Sequence, residues 1–132
     1  MIVLDSSAVI AIMNEEPEAT LFVTLIHDAP GRSMSAATYV ECAIVASSRR
    51  GVRERLDEWL DAMGIDIISL DLGQARIAAD AFIRFGKGRH PAGLNYGDCF
   101  SYALAAACDA PLLYKGTDFG KTDLRSASTS QA

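Results

Sequence analysis

Short apolar runs alternate along this chain with longer segments of helical period, and that alternation is the feature that most constrains its fold. Met1–Leu4, Ile65–Leu70 and Pro111–Tyr114 are apolar, and a brief fourth run sits at Ser33-Met34; such runs read as buried strands. Between them the apolar residues return at three- and four-residue spacing. Pro17 opens a helix over Glu18–Asp28, whose Leu21, Phe22, Leu25 and Ile26 share one face. Ser35 is placed to cap Ala36–Arg49, with Gly51 as the stop. Val52–Met63 carries the stripe Leu56, Trp59, Leu60 and Met63, Asp71 caps Leu72–Phe85, and a last helix starts at Asn95. Strands separated by helices pair in parallel through right-handed crossovers. The expectation is a three-layer α/β/α domain over residues 1–125 with a central parallel sheet of four to five strands. Residues 126–132 form a short polar tail expected to fray, with Arg125–Ser128 as the possible fifth strand.

The 132 residues are enough for one domain with a full core, at 50% hydrophobic and 22% charged content. No apolar run approaches the ~20 residues that span a bilayer, and Met-Ile-Val-Leu-Asp is no secretion signal, so a cytoplasmic protein without membrane contact is expected. Cys42, Cys99 and Cys108 lack CxxC spacing and sit in helix-like apolar stretches. They read as buried thiols rather than disulfides or zinc ligands. The net charge of −5 argues against general electrostatic attraction to nucleic acid. Local binding stays open, because Lys87 and Arg89 belong to a basic stretch, Arg84–His90, that enters the glycine loop Gly86–Gly93 before the last helix. That loop lacks the GxxxxGK[ST] pattern, so it is no nucleotide P-loop; its cations suit the backbone of an extended substrate.

Four acids interrupt this apolar framework. Asp5 follows the first strand, Glu41 breaks into an apolar helix, Asp98 sits in the first turn of the last helix, and Asp118 follows the last strand. A lone Asp98 is explained by the helix dipole alone. Four acids beside buried segments need a compensating charge, and in a parallel α/β domain the strand carboxyl ends are where sites lie. Oxygen ligands without His or Cys favour Mg²⁺, with Mn²⁺ as substitute, and such ions commonly serve phosphate-ester chemistry. Ser6 and Ser7 either cap a helix or support a carboxylate, and Asn95 either caps or orients. Lys115 stands where it can neutralise Asp118 or meet a phosphate. Tyr96 and Tyr102 read as core or dimer-surface aromatics, and neither His27 nor His90 carries a specific signal for chemistry.

Four stretches in this order resemble the PIN-domain ribonucleases, and among them the VapC toxins: Val3-Leu4-Asp5-Ser6-Ser7-Ala8, Ser35–Glu41, Gly93–Ala107 and Leu112–Phe119. The resemblance implies Mg²⁺-dependent cleavage of RNA, a homodimer, and inhibition by a cognate VapB-type antitoxin. Asp5, Glu41, Asp98 and Asp118 fall on the family's acidic positions, with Asp123 close enough to compete for the fourth. Lys87, Arg89 and Lys115 are the expected RNA contacts. Two other readings are a haloacid dehalogenase-like phosphohydrolase, which needs a second Asp where Ser7 stands, and a catalytically silent interaction module.

Overall fold

The computed structural model describes residues 1–48 and 52–128. The expected end of one helix at Arg49, its stop at Gly51, and the last residues of the tail lie outside them. Strand β1 (Ile2–Leu4) is inserted between β2 (Arg32–Ser35) and β4 (Leu112–Leu113), and β3 (Asp66–Ile68) lies outside β2. All pairs are parallel, in the order β3-β2-β1-β4. The chain steps outward from β1 to β2 and β3, then returns to the other side of β1. Asp5 therefore ends the strand at which the order reverses, the place where open α/β sheets put their sites.

Alternation along β1 divides the core. Ile2 and Leu4 face a layer with Met34, Val9, Ile26 and Leu56, while Val3 faces a second layer with Leu94, Leu104 and Leu112. Helices α1 (Ser6–Met13), α2 (Ala19–Asp28), α3 (Ala36–Ser47) and α4 (Val52–Ala62) serve the first layer; α5 (Leu72–Phe85) and α6 (Tyr96–Cys108) serve the second. The caps read from the sequence form: Ser35 accepts from the Ala37 N–H, Asp71 from Gln74 and Asn95 from Asp98. Each such cap contributes ~1 kcal/mol.

Two expectations change. Arg125–Ala127 is not a fifth strand but a single parallel bridge to Leu112; the Leu112 N–H donates to Arg125, the Ala127 N–H donates back to Leu112, and Ala127 is buried. That pairing keeps the chain on the sheet beyond Arg125. Cys108 is exposed, because it falls on the outer face of the last turn of α6, whereas Cys42 and Cys99 are buried. Tyr96 is 78% exposed at the start of α6, its ring edge-on to Phe100, while Tyr102 is in the core. Among the described residues no helix is long and apolar enough to cross a membrane.

Candidate functional site

Asp5 is only 2% exposed, and three donors justify its burial. Its Oδ2 accepts the Ser7 N–H at 3.1 Å and the Ser7 hydroxyl at 2.6 Å, and its Oδ1 accepts the Ser101 hydroxyl at 2.6 Å. Asp5 is thus N-cap of α1 and centre of a polar cluster at once. Ser7 also accepts the Lys115 backbone N–H at 3.0 Å, tying the segment after β4 to the acid after β1. No hydrogen bond joins Ser6 to the carboxylate. Thr38 and Ser101, which sequence reasoning passed over, meet at 3.0 Å behind Asp5. A signal for them existed, since each stands one helical turn from an acid, Thr38 before Glu41 and Ser101 after Asp98.

Glu41 comes from α3 and lies against the first turn of α6. A Cβ added at Gly97 would fall 2.2 Å from its Oε2, so glycine is what lets the carboxylate in. Its Oε1 is buried and has no hydrogen-bond partner. Burial, with repulsion from Asp5 and Asp98, raises the Glu41 carboxyl from 4.5 to about 7. Asp98 is raised from 3.8 to about 6, by burial first and then by Asp5 and Asp118, against the opposing hydrogen bond from the Asn95 N–H. Asp98 lies close enough to repel the Glu41 carboxylate, so the two titrate as a coupled pair.

Asp98 caps its helix: its Oδ2 closes a capping box with Asn95, and its charge is felt at Glu41. Asn95 spends its side-chain oxygen on that cap. Asp118 is exposed, caps nothing with its side chain, and its charge is felt at Asp98. Asp123 is engaged elsewhere: its Oδ1 accepts from the Tyr102 hydroxyl at 2.7 Å and its Oδ2 lies 3.4 Å from Arg84. Lys115 does not pair with Asp118. Its ammonium sits on Glu16 and Glu18, which raise its pKa. Lys87 and Arg89 are exposed on the loop before α6, with the Arg89 guanidinium over the Phe82 ring. His90 orders this loop by accepting the Ala92 N–H at Nδ1.

Among the described residues no three His, Cys, Asp or Glu side chains are gathered tightly enough to hold an ion as they stand. Donors occupy both oxygens of Asp5 and one of Asp98. The donor set nevertheless suits a hard cation, because it is all oxygen. The unpartnered Glu41 Oε1 supplies a buried acceptor that a cation would satisfy.

Residues 2–124 match the PIN domain family, to which this chain belongs. Ribonuclease VapC of Mycolicibacterium smegmatis is 49% identical over 124 residues, covering 92% of this chain and 96% of that protein. Ribonuclease VapC30 of Mycobacterium tuberculosis is 44% identical with 92% and 95% coverage. Within the PIN domains, the chain is of the VapC ribonuclease type. The fold agrees with the sarcin-ricin loop cleaving toxin VapC20 of Mycobacterium tuberculosis, at TM-score 0.75 and 14% identity over 94% of this chain and 96% of that one. It also agrees with a toxin–antitoxin complex from Klebsiella pneumoniae, at TM-score 0.74 and 18% identity over 93% of both chains. The dehalogenase-like reading falls with this match, and the hydroxyl of Ser7 is used to hold Asp5.

Proposed function

We propose that this protein is an Mg²⁺-dependent endoribonuclease, with Mn²⁺ able to substitute, acting in the cytoplasm as the toxin of a toxin–antitoxin pair. The observation that carries the reading is Glu41: a half-buried carboxylate with one buried, orphaned oxygen, raised to about 7 between two further acids. Carboxyls raised this far by burial and neighbouring like charge are concentrated at functional sites. Asp5, Glu41 and Asp98 hold the cation, and Asp118 completes the set from its exposed loop. A cation held there would supply activation of a water and stabilisation of the leaving oxygen of the RNA phosphodiester. Ser7 keeps Asp5 aimed, and Asn95 keeps Asp98 in place. Lys87 and Arg89 hold the RNA backbone beside the first turn of α6. Lys115 does not serve there while Glu16 and Glu18 occupy it.

The partner is a VapB-type antitoxin, in keeping with the toxin–antitoxin complexes of the same fold. A homodimer is supported by an apolar groove of about 570 Å³ between α5 and α6, lined by Leu70, Phe82, Ile83, Tyr96 and Phe100. Ile83 there is 62% exposed. Light scattering of Ile83→Lys is expected to give a monomer; a variant with the parent's mass would remove this face from the dimer. The nuclease test is RNA cleavage by the purified chain with Mg²⁺, with Mn²⁺, and in excess EDTA. Cleavage is expected with either ion and lost in EDTA. Undiminished cleavage in EDTA would overturn the reading.

A further inference from the structure

The chemistry proposed above needs acids from three separate elements to keep a fixed spacing. Asp5 ends β1, Glu41 belongs to α3 and Asp98 to α6. Below them, Thr38 on α3 and Ser101 on α6 are both fully buried, and their hydroxyls lie 3.0 Å apart. Ser101 stands 2.6 Å from Asp5 Oδ1. A serine has one hydroxyl proton, and a carboxylate oxygen only accepts. The proton of Ser101 therefore goes to Asp5, and Thr38 must donate to Ser101. The direction of the whole chain of bonds follows from its end.

Hydroxyls on helices commonly bond the carbonyl one turn back. Ser47 does so on the same α3, donating to Ala43 at 2.6 Å, and Thr24 on α2 donates to Thr20. Thr38 and Ser101 instead reach across to another element. Each lies three residues from an acid of the site, on the same helix face, so their contact sits one turn beneath both Glu41 and Asp98.

We propose that Thr38 and Ser101 form a hydroxyl relay that positions Asp5 and fixes the mutual spacing of the elements bearing Asp5, Glu41 and Asp98. The relay rests on the reading of these acids as cation ligands for its consequence, though not for its geometry. Both residues are positioning residues, since neither touches the cation. Outer partners of ligating groups commonly change metal affinity 10- to 100-fold when removed.

The test uses the full chain and MnCl₂ alone. Ser101→Ala is expected to weaken Mn²⁺ binding about tenfold by calorimetry, and to shift the carboxyl ¹³C signal of Asp5 in the metal-free protein. Thr38→Val keeps the shape and removes the donor, so both readouts move less but in the same direction, while Thr38→Ser restores them. Because the relay is serial, Thr38→Val adds nothing once Ser101 is alanine. Should Ser101→Ala not fold, the Val and Ser variants at Thr38 decide by the same two readouts. An unmoved Asp5 signal and unchanged Mn²⁺ affinity in Ser101→Ala, whatever its melting temperature, would reduce the relay to packing. So would additive losses in the double variant. If the parent binds no Mn²⁺, the cation reading fails by itself and the Asp5 signal alone decides on the relay.

Discussion

Replacing Glu41 by Gln removes the charge and keeps the shape, and its effect on stability should reverse the usual expectation for a functional residue. The carboxyl rises from 4.5 to about 7 on folding. The folded chain then holds this proton more tightly than the unfolded one. Stability is full below pH 4.5, falls as pH climbs through the window to 7, and stays reduced above it. At about 1.4 kcal/mol per pKa unit the ionised form costs roughly 3 kcal/mol. A glutamine still leaves one amide oxygen buried without a donor, which costs ~1 kcal/mol. The net gain in EDTA is therefore about 2 kcal/mol at pH 8, or a melting temperature higher by roughly 5–8 °C. At pH 5 the parent is largely protonated and the gain vanishes. Urea unfolding of both proteins in EDTA, at pH 5 and pH 8, measures this directly. Mn²⁺ at ~100 times its dissociation constant should add about 2.7 kcal/mol to the parent and much less to the variant. An equal difference at the two pH values would show that packing rather than charge sets the cost of Glu41, and the argument would fail.

Gly97→Ala forces Glu41 out, since the new Cβ would meet its Oε2 at 2.2 Å. Thermal melts should show stability unchanged or up to ~1 kcal/mol higher, while cleavage assays show a loss of ~100-fold or more; retained cleavage would detach Glu41 from the chemistry. Asp123→Asn should leave the cleavage rate intact and lower stability by ~1 kcal/mol through its bond from Tyr102; an inactive but folded Asn variant would instead make Asp123 the fourth acid. Lys87→Ala with Arg89→Ala should weaken RNA binding and flatten its salt dependence by about 1.4 in slope, two contacts on a single strand. A change in cleavage rate with the salt slope intact would count against backbone contact.

Local rules carried most of the fold. The caps at Ser35, Asp71 and Asn95 need only a side chain and a backbone N–H two or three residues away, so they are written in consecutive residues. Asp5 and Asp118 were legible because strand ends are, and Glu41 because an acid in an apolar helix is conspicuous. What stayed hidden depends on distance along the chain. Lys115 is claimed by Glu16, 99 residues earlier, and that pairing has no trace in the sequence around either. Ser101 contacts Asp5 across 96 residues, and a serine inside a helix looks neutral until its partner is known. Gly97 carries no signal of its own in the sequence, because the carboxylate that needs its missing Cβ comes from α3. The single bridge at Ser126 was half legible, since edge pairing this short is decided by packing of one side chain, Ala127.

The segment that follows β4 bears on how fast the site can close. Lys115 is fastened at one end, by its N–H on Ser7 and its ammonium on Glu16 and Glu18, and Phe119 is sunk in the core at the other. Asp118 stands immediately before that second anchor. Its carboxylate is open to water while its backbone is held on both sides, so the motion left to it is rotation about its own side-chain bonds. Such rotations take picoseconds to nanoseconds, whereas rearranging a loop takes up to microseconds. If Asp118 takes its proposed place as fourth acid, its carboxylate can reach a cation by side-chain rotation, with no rearrangement of the chain.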